Sequence, residues 1–258
     1  MSVNKYLQEL GSSLILSSSE KAGISVSVNA IRTRLTSYFG EEITEKKLYG
    51  SYVRDTILPR RADEESDVDL MVVFRNPDGY QPQAFLNRLR DFSENYYSQS
   101  EIYQSSPTIV LEFNHIMFEL TPAYVTGKGR YYIPGNRSEW MYTDPDGFYS
   151  ELTECNKNNS YKIKPVIRIL KHWNITKNSR DLESYELEKR IAEELMHADV
   201  YCTSYTDYLK YAMETIKDMT VYTRVDRALK GIDEALHLED DGYSRLAETR
   251  IREVFPEV

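Results

Sequence analysis

LYGSYVRDTILPRRADEESDVDLMVVF, residues Leu48 to Phe74, decides how the chain is read. Gly50-Ser51 ends one apolar run, and Asp67 and Asp69, with one valine between them, open the next. Alternate residues of a strand face the same side, so these two acids project together while Val68 and Leu70 point the other way. Carboxylates held this close repel, and one is driven toward its protonated form unless a cation compensates. Mg²⁺ prefers hard oxygen ligands and is usually held by one or two carboxylates plus substrate phosphates. Taken alone, an Asp-x-Asp pair is more often two solvated acids at a strand end. Two neighbouring features weigh against that here.

The first is Gly50-Ser51. Glycine lets backbone N–H groups approach a phosphate, serine adds a hydroxyl, and a helix predicted over residues 52–57 would present its anion-favouring end. The second is Glu119, alone among Ile116, Met117, Phe118 and Leu120. A carboxylate in a core strand is costly unless it is paired or bound to a metal. Asp67, Asp69 and Glu119 on adjacent strands would match a two-metal phosphoryl-transfer site. Glu112 competes with Glu119. If Asn114-His115 is the loop of a hairpin between strands at 108–113 and 116–121, Glu112 pairs with Met117 and shares a face with Glu119. Glu119 is favoured because the segment around it, Phe118 to Ala123, is the more specific.

The rest of the chain divides into two halves. Apolar spacing predicts helices over 26–39 and 81–97, and Pro122 is expected to end the second hairpin strand. Residues 127–145 are rich in Gly, Pro and Tyr and read as irregular. Beyond them the pattern is helical throughout, over 146–158, 162–174, 182–197, 204–219, 221–236 and 243–254. The expected division is a strand-bearing core at 1–145 and a helical nucleotide-binding domain at 146–258, with a ligand cleft between them as the default site.

The chain has 258 residues, 28% of them charged, and a net charge of −9. Acidity argues against gripping long nucleic acid by its backbone. The cysteines Cys155 and Cys202 have no metal-ligand spacing, and the histidines His115, His172, His197 and His237 are scattered. The N-terminal stretch is too short for a membrane span and lacks a secretory leader pattern, so a reduced cytoplasmic interior is expected. No Walker-type loop, dinucleotide fingerprint or Gly-x-Ser-x-Gly is present. Lys164, Arg168 and Lys171 fall at helical spacing and read either as a cationic stripe or as a solvated face. Trp173 reads as core.

At Gly50-Ser51, Asp67-Val68-Asp69 and Glu119 the sequence resembles the DNA polymerase β-like nucleotidyltransferase superfamily, with Arg54 and Thr56 also where that family commonly has Arg and Thr. Farther on, Tyr142 to Pro145, Leu170 to Asn174, Glu183 to Glu188 and the closing Arg252 to Pro256 are similar to the helical half of bacterial cyclic-oligonucleotide synthases. These are relatives of cyclic GMP-AMP synthase and the oligoadenylate synthetases. The resemblance spans about residues 26–256. It implies an α+β fold, a polymerase-β-like mixed sheet with flanking helices plus a C-terminal helical bundle. The implied activity joins nucleoside triphosphates, ATP among them, into a cyclic or short oligonucleotide second messenger, as in antiphage defence. Implied cofactors are Mg²⁺ or Mn²⁺. Implied partners are the triphosphates and a defence-operon effector or regulatory protein, with no membrane.

Residue by residue, the resemblance implies that Asp67, Asp69 and Glu119 hold two metal ions and that Gly50 and Ser51 contact the donor triphosphate. Lys171 would neutralise the outer phosphates, Ser184 would bond to them, and Tyr185 would lie near the base. Three departures stand out. The spacer between Ser51 and Asp67 is longer than usual and carries Arg60, Arg61, Asp63, Glu64 and Glu65. Asp55 stands where Gly is common, and the third acid is Glu rather than Asp. Two alternatives stay open: a nucleotidyltransferase acting on tRNA or protein, and a non-catalytic nucleotide sensor or scaffold.

Overall fold

A computed structural model describes residues 1–76, 78–105, 107–135, 139–197 and 202–258. The chain forms two compact units, residues 16–54 with 65–147, and residues 1–15 with 55–64 and 148–258.

The first unit carries all the strands found among the described residues. Helix α2 (Ser18–Phe39) follows α1 (Val3–Ser13) of the other unit. Its start is fixed by a reciprocal cap: the Glu20 N–H donates to the Ser17 hydroxyl at 3.2 Å and the Ser17 N–H to the Glu20 carboxylate at 2.7 Å. Ile24, Val28, Ile31, Leu35 and Phe39 recur at helical spacing and are buried. Strand β1 (Ile43–Tyr49) leads into a single helical turn, α3 (Gly50–Val53), and then β2 (Asp67–Phe74). Helix α4 (Pro82–Tyr97) precedes β3 (Glu101–Ser105), β4 (Thr108–Glu112), β5 (Met117–Val125), β6 (Tyr131–Pro134) and β7 (Trp140–Thr143). The sheet order is β1-β2-β5-β4-β3, and β6 extends from β5 to β7. Among the described residues, β2 and β5 run parallel and the other pairs are antiparallel.

Three local expectations are corrected. β5 does not stop at Pro122, because Pro122 falls between the last pair with β4, at Leu120, and the first with β6, at Tyr124. A residue without an N–H is tolerated at such a gap in the ladder. The stretch 127–145 contains two short strands, whose Tyr-rich sequence conceals them because Gly and Pro flank so few residues. The helix expected over 52–57 is the four-residue α3 instead, since Asp55 turns left-handed at φ 57°. Asp tolerates that conformation better than most residues, and Gly better still, which accounts for Asp55 at this position.

The second unit is helical: α1, then α5 (Pro145–Asn158), α6 (Ile163–Thr176), α7 (Ser184–His197), α8 (Tyr205–Thr215), α9 (Tyr222–Asp240) and α10 (Ser244–Val254). The division drawn at residue 145 runs differently from these units, since 1–15 and 55–64 join the helices. The cause is apolar: Val3, Leu7, Leu10 and Leu14 of α1 share one buried core with Val166, Ile169 and Leu170 of α6. Gly11 keeps the approach close, as a Cβ there would sit 3.1 Å from Pro165 Cβ. Trp173 is buried at 2% exposure.

His172 gives this unit a pH dependence. Its Nε2–H donates to the Pro256 carbonyl at 3.1 Å, and its ring is 3% exposed. Burial pushes its pKa below the usual value. A lowered folded pKa means the neutral ring stabilises the fold at and above pH ~6.5, and that contribution is lost as pH falls through the folded value. His172→Gln is expected to keep the bond to Pro256 while removing the titration. The stability gap between the two proteins, read from urea midpoints at pH 7.5 and 5.5, should therefore shift toward the variant at the lower pH.

Candidate active site

Asp67 and Asp69 occupy alternate positions at the start of β2, half-buried, with Val68 and Leu70 between and beyond them fully buried on the opposite face. The parallel register sets Asp69 directly beside Glu119 of β5 and Asp67 beside Met117. Glu112 pairs with Met117 on β4, as the hairpin reading requires, and it is Glu119 that joins the aspartates. One carboxylate oxygen from each of Asp67, Asp69 and Glu119 lies within 4.8 Å of the others.

This packing carries an electrostatic penalty. Burial first, then the Asp67 charge, pushes the Glu119 pKa up to about 7, against a lowering by the Thr108 hydroxyl bond. Three hard oxygen donors in reach of one another, with one carboxyl held near protonation when no cation is present, form a donor set that fits Mg²⁺ or Mn²⁺.

Gly50 faces the same carboxylates. Its φ is +74°, and a Cβ built there would fall inside the carboxylate of Asp69. Glycine is therefore required twice at this corner, for its backbone and for the room it leaves. Ser51 follows it in α3, half-buried. A helix of one turn has too little dipole to attract an anion, so that part of the phosphate argument does not hold.

Tyr49 and Thr121 are site residues that sequence reasoning passed over. Tyr49 pairs with Asp69 across β1 and β2, and its hydroxyl meets the Thr121 hydroxyl at 2.6 Å. Burial first, then the Asp69 charge, pushes the Tyr49 pKa well above its usual value, so the phenol stays neutral. The signals were position alone: Tyr49 directly precedes Gly50, and Thr121 lies two residues beyond Glu119 on the same strand face. Tyr49→Phe is expected to destabilise by about 1 kcal/mol, because Thr121 loses its partner, and Thr121→Val in the same background should recover part of it. Urea unfolding of the single and double variants checks this.

The remaining residues named from sequence lie in the helical unit. Lys171 is buried and pairs with the fully buried Glu188 at 2.6 Å, and also donates to the Thr56 carbonyl at 3.2 Å. Arg168 donates to the Asp55 carbonyl at 2.7 Å and to the Gly11 carbonyl at 3.2 Å, and Lys164 lies 3.6 Å from the Asp55 carboxylate. The stripe of Lys164, Arg168 and Lys171 is thus neither a solvated face nor an open cationic surface. It binds segment 55–64 and α1 to α6. Ser184 is exposed at the start of α7, and Tyr185 is half-exposed with its ring edge-on to Phe148, centroids 5.3 Å apart.

A family model for the Second Messenger Oligonucleotide or Dinucleotide Synthetase domain matches residues 1–156. The chain belongs to that family. The matched part includes Gly50, Asp67, Asp69 and Glu119. The chain is also similar to a cyclic AMP-AMP-AMP synthase of Acinetobacter sp. (strain ATCC 27244 / 9458), 27% identical over 207 residues. That match takes in 76% of this chain and 57% of the relative, so the chain spans little more than half the length of that curated protein. Among solved structures, E. coli MS115-1 CdnC with ATP superposes at a TM-score of 0.74, with 14% identity over 98% of this chain and 97% of that one. Vibrio cholerae DncV, a cyclic AMP-GMP synthase with nonhydrolyzable GTP, gives 0.76 at 11% identity over 95% and 92%. At these identities the likeness shows the fold. Among the described residues, no helix is long and apolar enough to cross a membrane.

Proposed function

We propose that the protein is a nucleotidyltransferase that joins nucleoside triphosphates into a cyclic or short oligonucleotide second messenger for antiphage defence. A ribose hydroxyl oxygen of one nucleotide attacks the α-phosphorus of another. The bond to pyrophosphate breaks, and the proton of the hydroxyl leaves to solvent or to a carboxylate. The observation that carries the reading is the in-register triad of Asp67, Asp69 and Glu119 with Gly50 against it. The family match and the synthase relative support the same reaction class. The relative's product makes ATP the first substrate to test.

In this reading Asp67, Asp69 and Glu119 hold Mg²⁺, with Mn²⁺ as a substitute. When bound, the ions would activate the attacking hydroxyl and neutralise charge building on the phosphates. Asp69 keeps its orientation because Gly50 leaves space for it and because Tyr49, braced by Thr121, fills the strand beside it. Gly50 and Ser51 meet the triphosphate through backbone N–H groups and the serine hydroxyl. In the helical unit, Ser184 bonds to the outer phosphates and Tyr185 packs on the base. Lys171 reaches a phosphate only by exchanging Glu188 for it, so its main contribution is to hold Thr56 and its segment in place. The sheet unit is the catalytic core and the helical unit the nucleotide-binding part, both acting in the cytoplasm with a product-responsive defence effector.

The test is mass spectrometry of products from ATP alone and from all four triphosphates with Mg²⁺ or Mn²⁺, wild type beside Asp67→Ala/Asp69→Ala. A new phosphatase-resistant nucleotide with released pyrophosphate, absent from the variant, supports the reading. Identical traces from both proteins contradict it.

A further inference from the structure

The helical unit contains a second polar feature built from none of the residues above. It is a pocket of about 100 Å³ where the C-terminal end of α6 meets α9 and α10. Lys177, Arg224, Arg227 and Arg250 line it with a single carboxylate, Glu253, and Trp173. Close helix packing brings these side chains together: a Cβ on Gly231 of α9 would overlap Val254 of α10, so no larger residue fits between the helices there.

The state of each cation gives the pocket its character. Arg250 is satisfied by acids, donating through Nε to Glu234 at 2.7 Å and through Nη1 to Glu253 at 2.6 Å. Arg224 has no carboxylate within hydrogen-bond reach among the described residues, although its charge acts on Asp181; its Nη1 donates to the Asn178 carbonyl at 2.7 Å, which fixes its guanidinium. Lys177 and Arg227 are exposed and have no side-chain hydrogen bond or ion pair among the described residues. By contrast, Lys217 meets Asp226 and Lys210 meets Asp233, both at 2.6 Å. Trp173, 2% exposed, forms the apolar floor.

Two exposed cations without an ion pair, and a third pinned by its backbone contact, beside a carboxylate already taken up by Arg250, describe a site for a small anion. Guanidinium groups match phosphate oxygens in paired geometry, and lysine adds a point charge. The volume is enough for one phosphate-sized group. We propose that this pocket binds a phosphate group, either free phosphate or the phosphomonoester end of a small ligand. Lys177, Arg224 and Arg227 neutralise it.

The test is calorimetry on the intact chain without divalent cation, using inorganic phosphate in one arm and glycerol phosphate in the other, against chloride at equal ionic strength. Both are to be run on wild type, on Asp69→Asn and on Lys177→Ala/Arg227→Ala. The last pair is exposed, so the variant should fold, which circular dichroism verifies. Saturable binding that survives Asp69→Asn and weakens about tenfold or more in the double alanine variant upholds the proposal. Tighter binding of glycerol phosphate then assigns the site to a phosphorylated ligand, and equal or weaker binding to free phosphate. No saturable binding in either arm, or binding unchanged by the double alanine variant, overturns it.

Discussion

Gly50→Ala is expected to cut nucleotide transfer by about a hundredfold to a thousandfold, the scale set by losing one well-placed polar group in a reaction centre. The argument is steric. A Cβ at residue 50 would occupy the space of the Asp69 carboxylate, so the acid must swing away from Glu119 and Asp67. The backbone adds strain, because φ at this position is +74° and an L-residue there costs about 1–2 kcal/mol. A double variant separates the two effects. In Gly50→Ala/Asp69→Ala the overlap with the carboxylate is gone and a tight 3.0 Å contact between the two Cβ atoms remains, so stability should recover in part while activity stays lost. If Gly50→Ala transfers nucleotides as wild type does, the corner has been misread.

The second large effect is on stability. Lys171→Met is expected to destabilise by about 3–5 kcal/mol, because it leaves the Glu188 carboxylate buried without its cation. Glu188 has no exposed surface and its lysine partner is 7% exposed, so water cannot screen either charge. Lys171→Met/Glu188→Leu should recover most of the loss, since a buried ion pair replaced by apolar groups of similar size is often close to neutral. Urea midpoints of the three proteins give the answer. A single variant as stable as wild type would show that the pair contributes nothing. The same cycle also bears on Lys171 as a phosphate ligand: if the stable double variant keeps full activity, the lysine serves the fold alone.

How much of this was legible in the sequence follows from which forces act locally. Strand alternation alone places Asp67 and Asp69 on one face, and the two-residue loop at Asn114-His115 puts Glu112 opposite Met117. Glu119 was preferred to Glu112 for the segment around it, while the physical reason is the parallel register of β2 and β5, a long-range pairing that no local pattern encodes. The six C-terminal helices stood out because each buries an apolar face at helical spacing. The strands β6 and β7 were missed because four residues give no readable alternation. The stripe on α6 was ambiguous for a different reason. Spacing shows that three cations share a face, whereas their burial depends on the distant segments at Gly11 and at 55–56 that accept their protons. Gly50 was read as a phosphate contact, and its steric service to Asp69 emerges only once the two strands are side by side.

The central claim is that Asp67, Asp69 and Glu119 share a divalent cation at the nucleotide site. Anomalous diffraction from crystals of the protein grown with Mn²⁺ and a nonhydrolysable ATP analogue tests it most directly. The account predicts a manganese peak ligated by oxygens of all three side chains and by the triphosphate. A triphosphate seated elsewhere, or manganese bound without these carboxylates, would contradict it.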